Sequence, residues 1–410
     1  MTAGLGQAAF GARYVDRAFA ELEWERMWER VWLLGAFASD LAGAGDFVTT
    51  EVGRESILIV RDADGQIQAF HNVCLHRGNR LAHRARGRTE RFRCGYHGWE
   101  YGLDGQLLHV FDEPSFGQQL TCGRLALEPL PCAERCGFVW FSLDPEAEPL
   151  DDYLGSLTEE WLPYRFDEQV LIDDRTIEID CNWKIAVEAF SESYHLNATH
   201  PQLQAFVDDS AVTMEPIGSH GRAKVPFGRP SGYAGDRDTL NSDLRKMLLC
   251  VGLDEASVDG SPERVRGALQ RAKRALAEGA GVDLSGLSDE QLTDDFQYSV
   301  FPNVAMNVHS EGFVLHRFRP DPSDPERSLW DLAIFERMPS GADRPLRPVH
   351  RRHRHGDESL GQALDQDAYN LPNVQRGMRS RAFRRPLLSS FERGIAHFHE
   401  VLDDYIGRED

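Results

Sequence analysis

The chain has 410 residues, more than one ordinary hydrophobic core accommodates, so two domains are expected. Hydrophobic residues make up 41% and charged residues 27%, a balance that excludes a disordered polymer and a chain threaded through a membrane. A formal net charge of -21 repels nucleic acid and anionic membrane surfaces, so neither is an expected partner. The seven cysteines, Cys74, Cys94, Cys122, Cys132, Cys136, Cys181 and Cys250, are odd in number and follow an opening without an apolar signal core. That usage points to a reducing cytoplasm with thiols free for metal.

In chain order, RYVDRAFAELEWERMWERVWLLG (13–35) sets Phe19, Leu22, Met27, Val31 and Leu34 at helical spacing and predicts an amphipathic helical leader over 1–40. From 41 to 150 the pattern becomes short runs such as SILIVRD and GFVWFSLDP, broken by Gly and Asp-Gly turns, which predicts a small all-β domain of hairpins. A second domain, 151–410, opens with a strand in VLIDDRTIEIDCNW and a helix in KIAVEAFSESYHLNATHP. Residues 236–296 are charged and rich in Ala and Leu and predict a helical excursion. Strands return at YSVFPNVAMNVHS, EGFVLHRFRPD and SLWDLAIFERM, and two further helices are expected near 359–378 and 388–405.

The all-β segment contains CLHRG and CGYHGW, which place Cys74, His76, Cys94 and His97 close together. Two thiolates and two imidazoles suit zinc or an iron–sulfur cluster. Common structural zinc patterns pair like with like, whereas each element here brings one Cys and one His. Two hairpins of that kind can put both thiolates on one iron and both imidazoles on the other, the Rieske [2Fe–2S] arrangement. Gly78, Gly95 and Gly98 free backbone N–H groups to turn toward sulfur, and Tyr96 and Trp99 are suited to cover the cluster. A structural zinc site is the rival reading of the same four residues.

The second domain contains EAFSESYHLNATHP, with Glu192 three residues before His195 and His200 five after it. On a regular helix five residues splay two side chains by about 140°, so convergence on one metal needs a break, which Pro201 favours. Two imidazoles and one carboxylate with open positions form the facial triad of non-haem Fe(II) oxygenases. The carboxylate is expected from LDQDAYNLPNVQRG, with Asp367 preferred and Asp365 its competitor. A centre that passes single electrons beside an iron that binds oxygen makes one reaction system.

These residues, in this order, resemble the large (α) subunit of Rieske non-haem iron oxygenases, the ring-hydroxylating oxygenase family. The resemblance runs from the RYVDRAFAELEWERMWERVW leader through both metal motifs to QDAYNLPNVQRG. It implies an α+β chain: a small all-β Rieske domain, then a helix-grip catalytic domain with a curved antiparallel sheet and helices around a mononuclear iron. It implies Cys74, His76, Cys94 and His97 as cluster ligands and His195, His200 and Asp367 as iron ligands. Glu192 would link His195 to His97 of a neighbouring subunit, which requires a head-to-tail ring, typically a homotrimer, with a beta subunit an option. This chain has Glu192 and Ala189 where many ring-dihydroxylating members carry Asp and Asn.

The activity so implied uses O2 and electrons originating from NAD(P)H, delivered by a separate reductase with or without a ferredoxin, to hydroxylate a small aromatic or apolar molecule. A monooxygenase that demethylates an N-methyl or O-methyl compound is the alternative, and an electron-transfer or binding protein without oxygenase activity is the rival from another class. Phe190, Leu196, Phe301 and Asn303 flank the iron motif or its facing strand and are candidate pocket residues. The run HRRHRH (350–355) reads as a solvated loop, and Cys132 and Cys136 as structural thiols.

Overall fold

The computed structural model describes residues 10–119 and 124–407, so Cys122 lies outside the described residues. The chain divides into two compact units, Trp24–Leu154, and Met1–Glu23 together with Gly155–Asp410.

The unit Trp24–Leu154 is built from three small antiparallel sheets. The five-stranded one runs Arg86–Arg88, Asp46–Val52, Glu55–Arg61, Ile67–His71, Pro129–Leu130. Its hairpin turns use Gly53 and Gly65, both at positive φ, where a side chain would strain the backbone. Leu58, Val60, Phe70, Trp99 and Tyr101 bury a core that also contains Cys74 and Cys94. The helical leader is shorter than its pattern suggests. Helix Arg17–Glu23 passes into a single π turn at Trp24–Trp28, and Trp32–Phe37 is a strand paired with Phe138–Ser142. No Gly or Pro separates helix from strand at RVW, and the apolar run WLLGAF is buried along nearly its whole length, which a strand between two layers permits as well as a helix does.

The larger unit is organised by an eight-stranded sheet in the order Thr213–Ile217, His220–Val225, Asp295–Val300, Val304–His309, Gly312–Pro320, Ser328–Glu336, Val170–Ile179, Arg351–Arg354. All neighbours are antiparallel except the last, which pairs in parallel with Val170–Ile179. The HRRHRH run is therefore an edge strand and not a loop. Its charges are matched by the adjacent strand and by the turn that follows it, Arg351 pairing with Asp173 and Glu358 and Arg352 with Glu178.

Helices lie where the apolar stripes predict them, at Gln362–Met378 and Arg393–Ile406. Trp183 and Phe301 pack edge-on or tilted against Phe398 of the second. The excursion holds helices Ser242–Cys250, Val265–Gly279 and Asp289–Thr293 around its own core of Leu244, Leu248, Val258, Val265 and Leu269. Asn241 and Ser288 cap the first and third through their side-chain oxygens. Among the described residues no helix is long and apolar enough to cross a membrane.

Candidate metal centres

In the smaller unit the two Cys-x-His loops have the same local geometry. Gly78 N–H donates to the Cys74 carbonyl and Gly98 N–H to the Cys94 carbonyl, both at 3.0 Å. Gly78 has φ +73° and Gly98 φ +74°, a turn that a side chain would strain. The loops bring the imidazoles of His76 and His97 to 4.6 Å between ring centroids. Trp99, buried, stacks on His76 at 4.9 Å, while Tyr96 lies over His97 at 3.7 Å and stays largely exposed.

Both thiols are buried and free of disulfides. Burial raises Cys74. Burial would raise Cys94 too, but N–H groups of Tyr96 and His97 and the Asn79 amide outweigh it and hold that thiol below its ordinary value. The Tyr101 hydroxyl stands 3.4 Å from the Cys74 sulfur, and the Asn79 amide 3.6 Å from that of Cys94. His76 Nδ1 is buried without a hydrogen-bond partner among the described residues. An orphaned imidazole nitrogen beside two thiols with N–H donors fits a cluster whose irons take sulfur on one side and imidazole on the other.

In the larger unit helix Trp183–Ala189 is capped by the Asn182 side chain and ends at Phe190. A four-residue helix, Leu196–Thr199, follows after a break, with His195 at its N-cap and His200 at its C-cap, and Pro201 opens a 3-10 turn. That interruption turns both imidazoles to one side, 5.2 Å apart between centroids. Asp367 comes from helix Gln362–Met378, and its Oδ1 stands 2.9 Å from His200 Nε2 and 3.6 Å from His195 Nε2. One donor atom from each of the three residues lies within 4.8 Å of the others. Asp365 points elsewhere, its carboxylate accepting from the Ser359 hydroxyl and the Leu360 N–H.

The far nitrogens of both histidines are held. His195 Nδ1 donates to Glu192 Oε1 at 2.5 Å, while Glu192 Oε2 accepts from the N–H groups of Tyr194 and His195. His200 Nδ1 donates to the Gln366 carbonyl at 2.9 Å, which also accepts from the Gln202 amide at 2.7 Å. With Nδ1 engaged in this way, each ring turns Nε2 toward Asp367, the nitrogen left for a metal. Burial lowers the His195 proton affinity, but Glu192 and then Asp367 outweigh it and raise it above the ordinary value. Gln366 and Gln202 carry no recognisable motif in the sequence.

The three residues line a cavity of about 180 Å³, together with Phe190, Leu196, Val207, Phe227, Val314 and His316. Phe301 and Asn303 do not line it. Phe301 stacks on Tyr405 and faces a separate cavity of about 320 Å³, and the buried Asn303 amide donates to the Phe318 carbonyl. The wall also has a polar part that the strand pattern does not announce. The Trp330 indole donates to His316 Nδ1 at 3.1 Å, His316 Nε2 donates to the Asn307 carbonyl at 3.2 Å, and the Asn307 amide donates to Asp295 Oδ2 at 2.8 Å. Burial pushes the His316 imidazole down to about 3, so it sits in this relay as a neutral ring.

Comparison with known proteins agrees with this architecture. Residues 166–408 match the family model "Ring hydroxylating alpha subunit (catalytic domain)", and residues 31–121 match "Rieske [2Fe-2S] domain". The glycine betaine monooxygenase oxygenase subunit of Pseudomonas aeruginosa is 33% identical over 263 residues, 60% of this chain and 59% of that protein. The large oxygenase component of the naphthalene 1,2-dioxygenase system of the same species is 32% identical over 58% of this chain and 56% of its own. The chain thus spans less than two thirds of the length of these curated relatives. The solved structure of a quaternary ammonium Rieske monooxygenase superposes with a TM-score of 0.69 at 20% identity, over 96% of this chain and 94% of that one, a likeness of fold.

Proposed function

The chain belongs to the family of ring-hydroxylating alpha subunits, and on that premise we propose that it is a terminal oxygenase acting on a small organic substrate in the cavity beside His195, His200 and Asp367. The observation that carries this reading is the convergence of two Nε2 atoms and one carboxylate in a cavity wall. Cys74, His76, Cys94 and His97 would hold a [2Fe–2S] cluster, and His195, His200 and Asp367 an Fe(II). When bound, the cluster supplies single electrons and the Fe(II) supplies oxygen activation.

The chain's own residues do the positioning. Glu192 and Gln366 fix the two imidazoles, and Phe190, Val207, Phe227 and Val314 exclude water from the space where the substrate lies. Electrons originate from NAD(P)H and arrive through a separate reductase, with or without a ferredoxin, in the cytoplasm. In a head-to-tail homotrimer Glu192 would reach His97 of a neighbouring copy and couple the two centres, a role suited to an acid that already holds His195. Hydroxylation of an aromatic ring is supported by the naphthalene dioxygenase likeness. Monooxygenation and demethylation of an N-methyl compound is supported by the glycine betaine monooxygenase likeness and by the polar wall at Asp295 and Asn307.

The test is EPR of the dithionite-reduced protein with iron and acid-labile sulfide analysis. A Rieske signal with about three irons and two sulfides per chain is expected, together with oxygen-dependent product that disappears in His195→Ala while the cluster signal stays. Zinc in place of iron with a silent spectrum, or product formation that survives His195→Ala, defeats the proposal.

A further inference from the structure

We infer that the cavity beside the iron triad selects a small organic cation and that Asp295 is the residue that selects it, an inference resting on the reading of that cavity as the substrate site. Asp295 opens the strand Asp295–Val300, lines the cavity with His195, His200 and Asp367, and is only 5% exposed. Its two oxygens are treated unequally. Oδ2 accepts from the amides of Gln297 at 3.0 Å and Asn307 at 2.8 Å. Oδ1 is buried and accepts no hydrogen bond among the described residues.

The asymmetry is built in by direction. An indole can only donate, so Trp330 makes His316 Nδ1 an acceptor and places the ring proton on Nε2. That proton makes the Asn307 oxygen the acceptor and turns its amide nitrogen to Asp295. Every member of the relay is thereby committed to presenting donors at Oδ2, which leaves the lone pairs of Oδ1 unused. A buried carboxylate oxygen without a partner is costly, and a positive ligand removes that cost.

The neighbouring cations do not fill the role. His309 Nε2 stands 3.6 Å from Oδ1, beyond hydrogen-bond reach, and its ring packs edge-on against Phe227. Arg266 is committed to Asp294 and the Phe227 carbonyl, and Lys273 to Glu311 and the Leu292 carbonyl. Apart from the triad, Glu192 and the polar wall of Asp295, Gln297, Asn307 and His316, the lining is apolar and includes the rings of Phe190 and Phe227, surfaces that tolerate a cation's methyl groups. The net charge of -21 draws cations, and not anions, toward the protein.

The experiment compares, on the protein loaded with cluster and Fe(II) and kept anaerobic, the calorimetric affinities of choline and of its neutral isostere with carbon in place of nitrogen. Wild type should bind choline about tenfold or more tightly than the isostere, and Asp295→Asn should bring the ratio near one while the cluster signal and iron content hold. Equal affinities in wild type, no choline binding at millimolar concentration, or an undiminished preference in Asp295→Asn each overturn the inference; the wild-type comparison decides even if the variant does not fold. His309→Gln should leave the ratio unchanged, and a marked change would mean that His309 serves Oδ1 instead. Oxygen uptake is followed separately. Preferential choline binding without oxygen consumption under any added reductase sinks the oxygenase reading and keeps the cation site, whereas turnover confined to neutral compounds does the reverse.

Discussion

Replacing Gln366 by Leu tests whether the second imidazole of the triad is oriented from behind. The Gln366 carbonyl is the acceptor for His200 Nδ1–H at 2.9 Å, and His200 is 2% exposed, so water has no room to replace it. A buried N–H left unpaired costs about 1–3 kcal/mol, and 1.4 kcal/mol is about a factor of ten in affinity. The Fe(II) dissociation constant should therefore rise about 10- to 100-fold, the range expected when the partner of a metal-bound histidine is lost. The assay is an anaerobic Fe(II) titration of cluster-loaded protein against a competing chelator. Gln366→Glu keeps an acceptor at the same place and should bind within about threefold of wild type. Gln202→Leu removes only the second donor to that carbonyl and should have a smaller effect than Gln366→Leu. Fe(II) affinity within about twofold of wild type in Gln366→Leu would refute the orientation argument.

Three other outcomes follow from the geometry. Asp367→Ala should deplete the mononuclear iron and spare the cluster, whereas Asp365→Ala, which loses contacts to Ser359 and Leu360, should keep the iron and cost about 0.5–2 kcal/mol of stability; metal analysis beside thermal unfolding separates them. Lys184 and Glu23 form a fully buried ion pair at 2.7 Å, so Lys184→Met should cost about 3–5 kcal/mol in urea unfolding, and adding Glu23→Leu should restore most of it. His316 titrates at about 3 when folded and about 6.5 when unfolded, so between those values the unfolded chain binds a proton that the folded chain does not. Stability should therefore fall as pH drops from about 6.5 toward 3, by up to about 1.4 kcal/mol per unit, and His316→Gln should flatten that slope.

The metal motifs were the most legible part of the chain because ligand chemistry restricts both residue type and spacing. Cys74, His76, Cys94 and His97 were readable together with the glycines that turn their loops. Pro201 and the five-residue spacing suggest a break between His195 and His200, whereas the structure keeps one helical turn, Leu196–Thr199, between them and places the irregular backbone before His195 and at His200. The choice between Asp365 and Asp367 was not, since both lie in the first turns of one helix and only its docking decides which carboxylate faces the imidazoles. Trp32–Phe37 is not separable from the leader helix by pattern, because burial on both faces erases the period that distinguishes strand from helix. The parallel edge strand Arg351–Arg354 looked like a loop because its charges are balanced by a strand about 175 residues away in sequence.

The polar wall of the cavity shows why specificity is harder to read than chemistry. Asp295, Asn307 and His316 sit on three adjacent strands whose alternation of apolar and polar residues is ordinary, and no spacing rule links them. What joins them is register: Val308 opposite Phe296 and Asn307 opposite Val314 bring Asn307 between Asp295 and His316 on one face. Shifting the Val304–His309 strand by one residue would turn Asn307 to the other face, leaving Asp295 with one donor and His316 Nε2 with none. The buried relay therefore penalises misregister of the sheet by at least the cost of one unpaired polar group, about 1–3 kcal/mol. The same hydrogen bonds that fix the register of the sheet beside the triad also fix which oxygen of Asp295 is left without a donor, so fold specificity and the polarity of the cavity wall draw on one set of contacts.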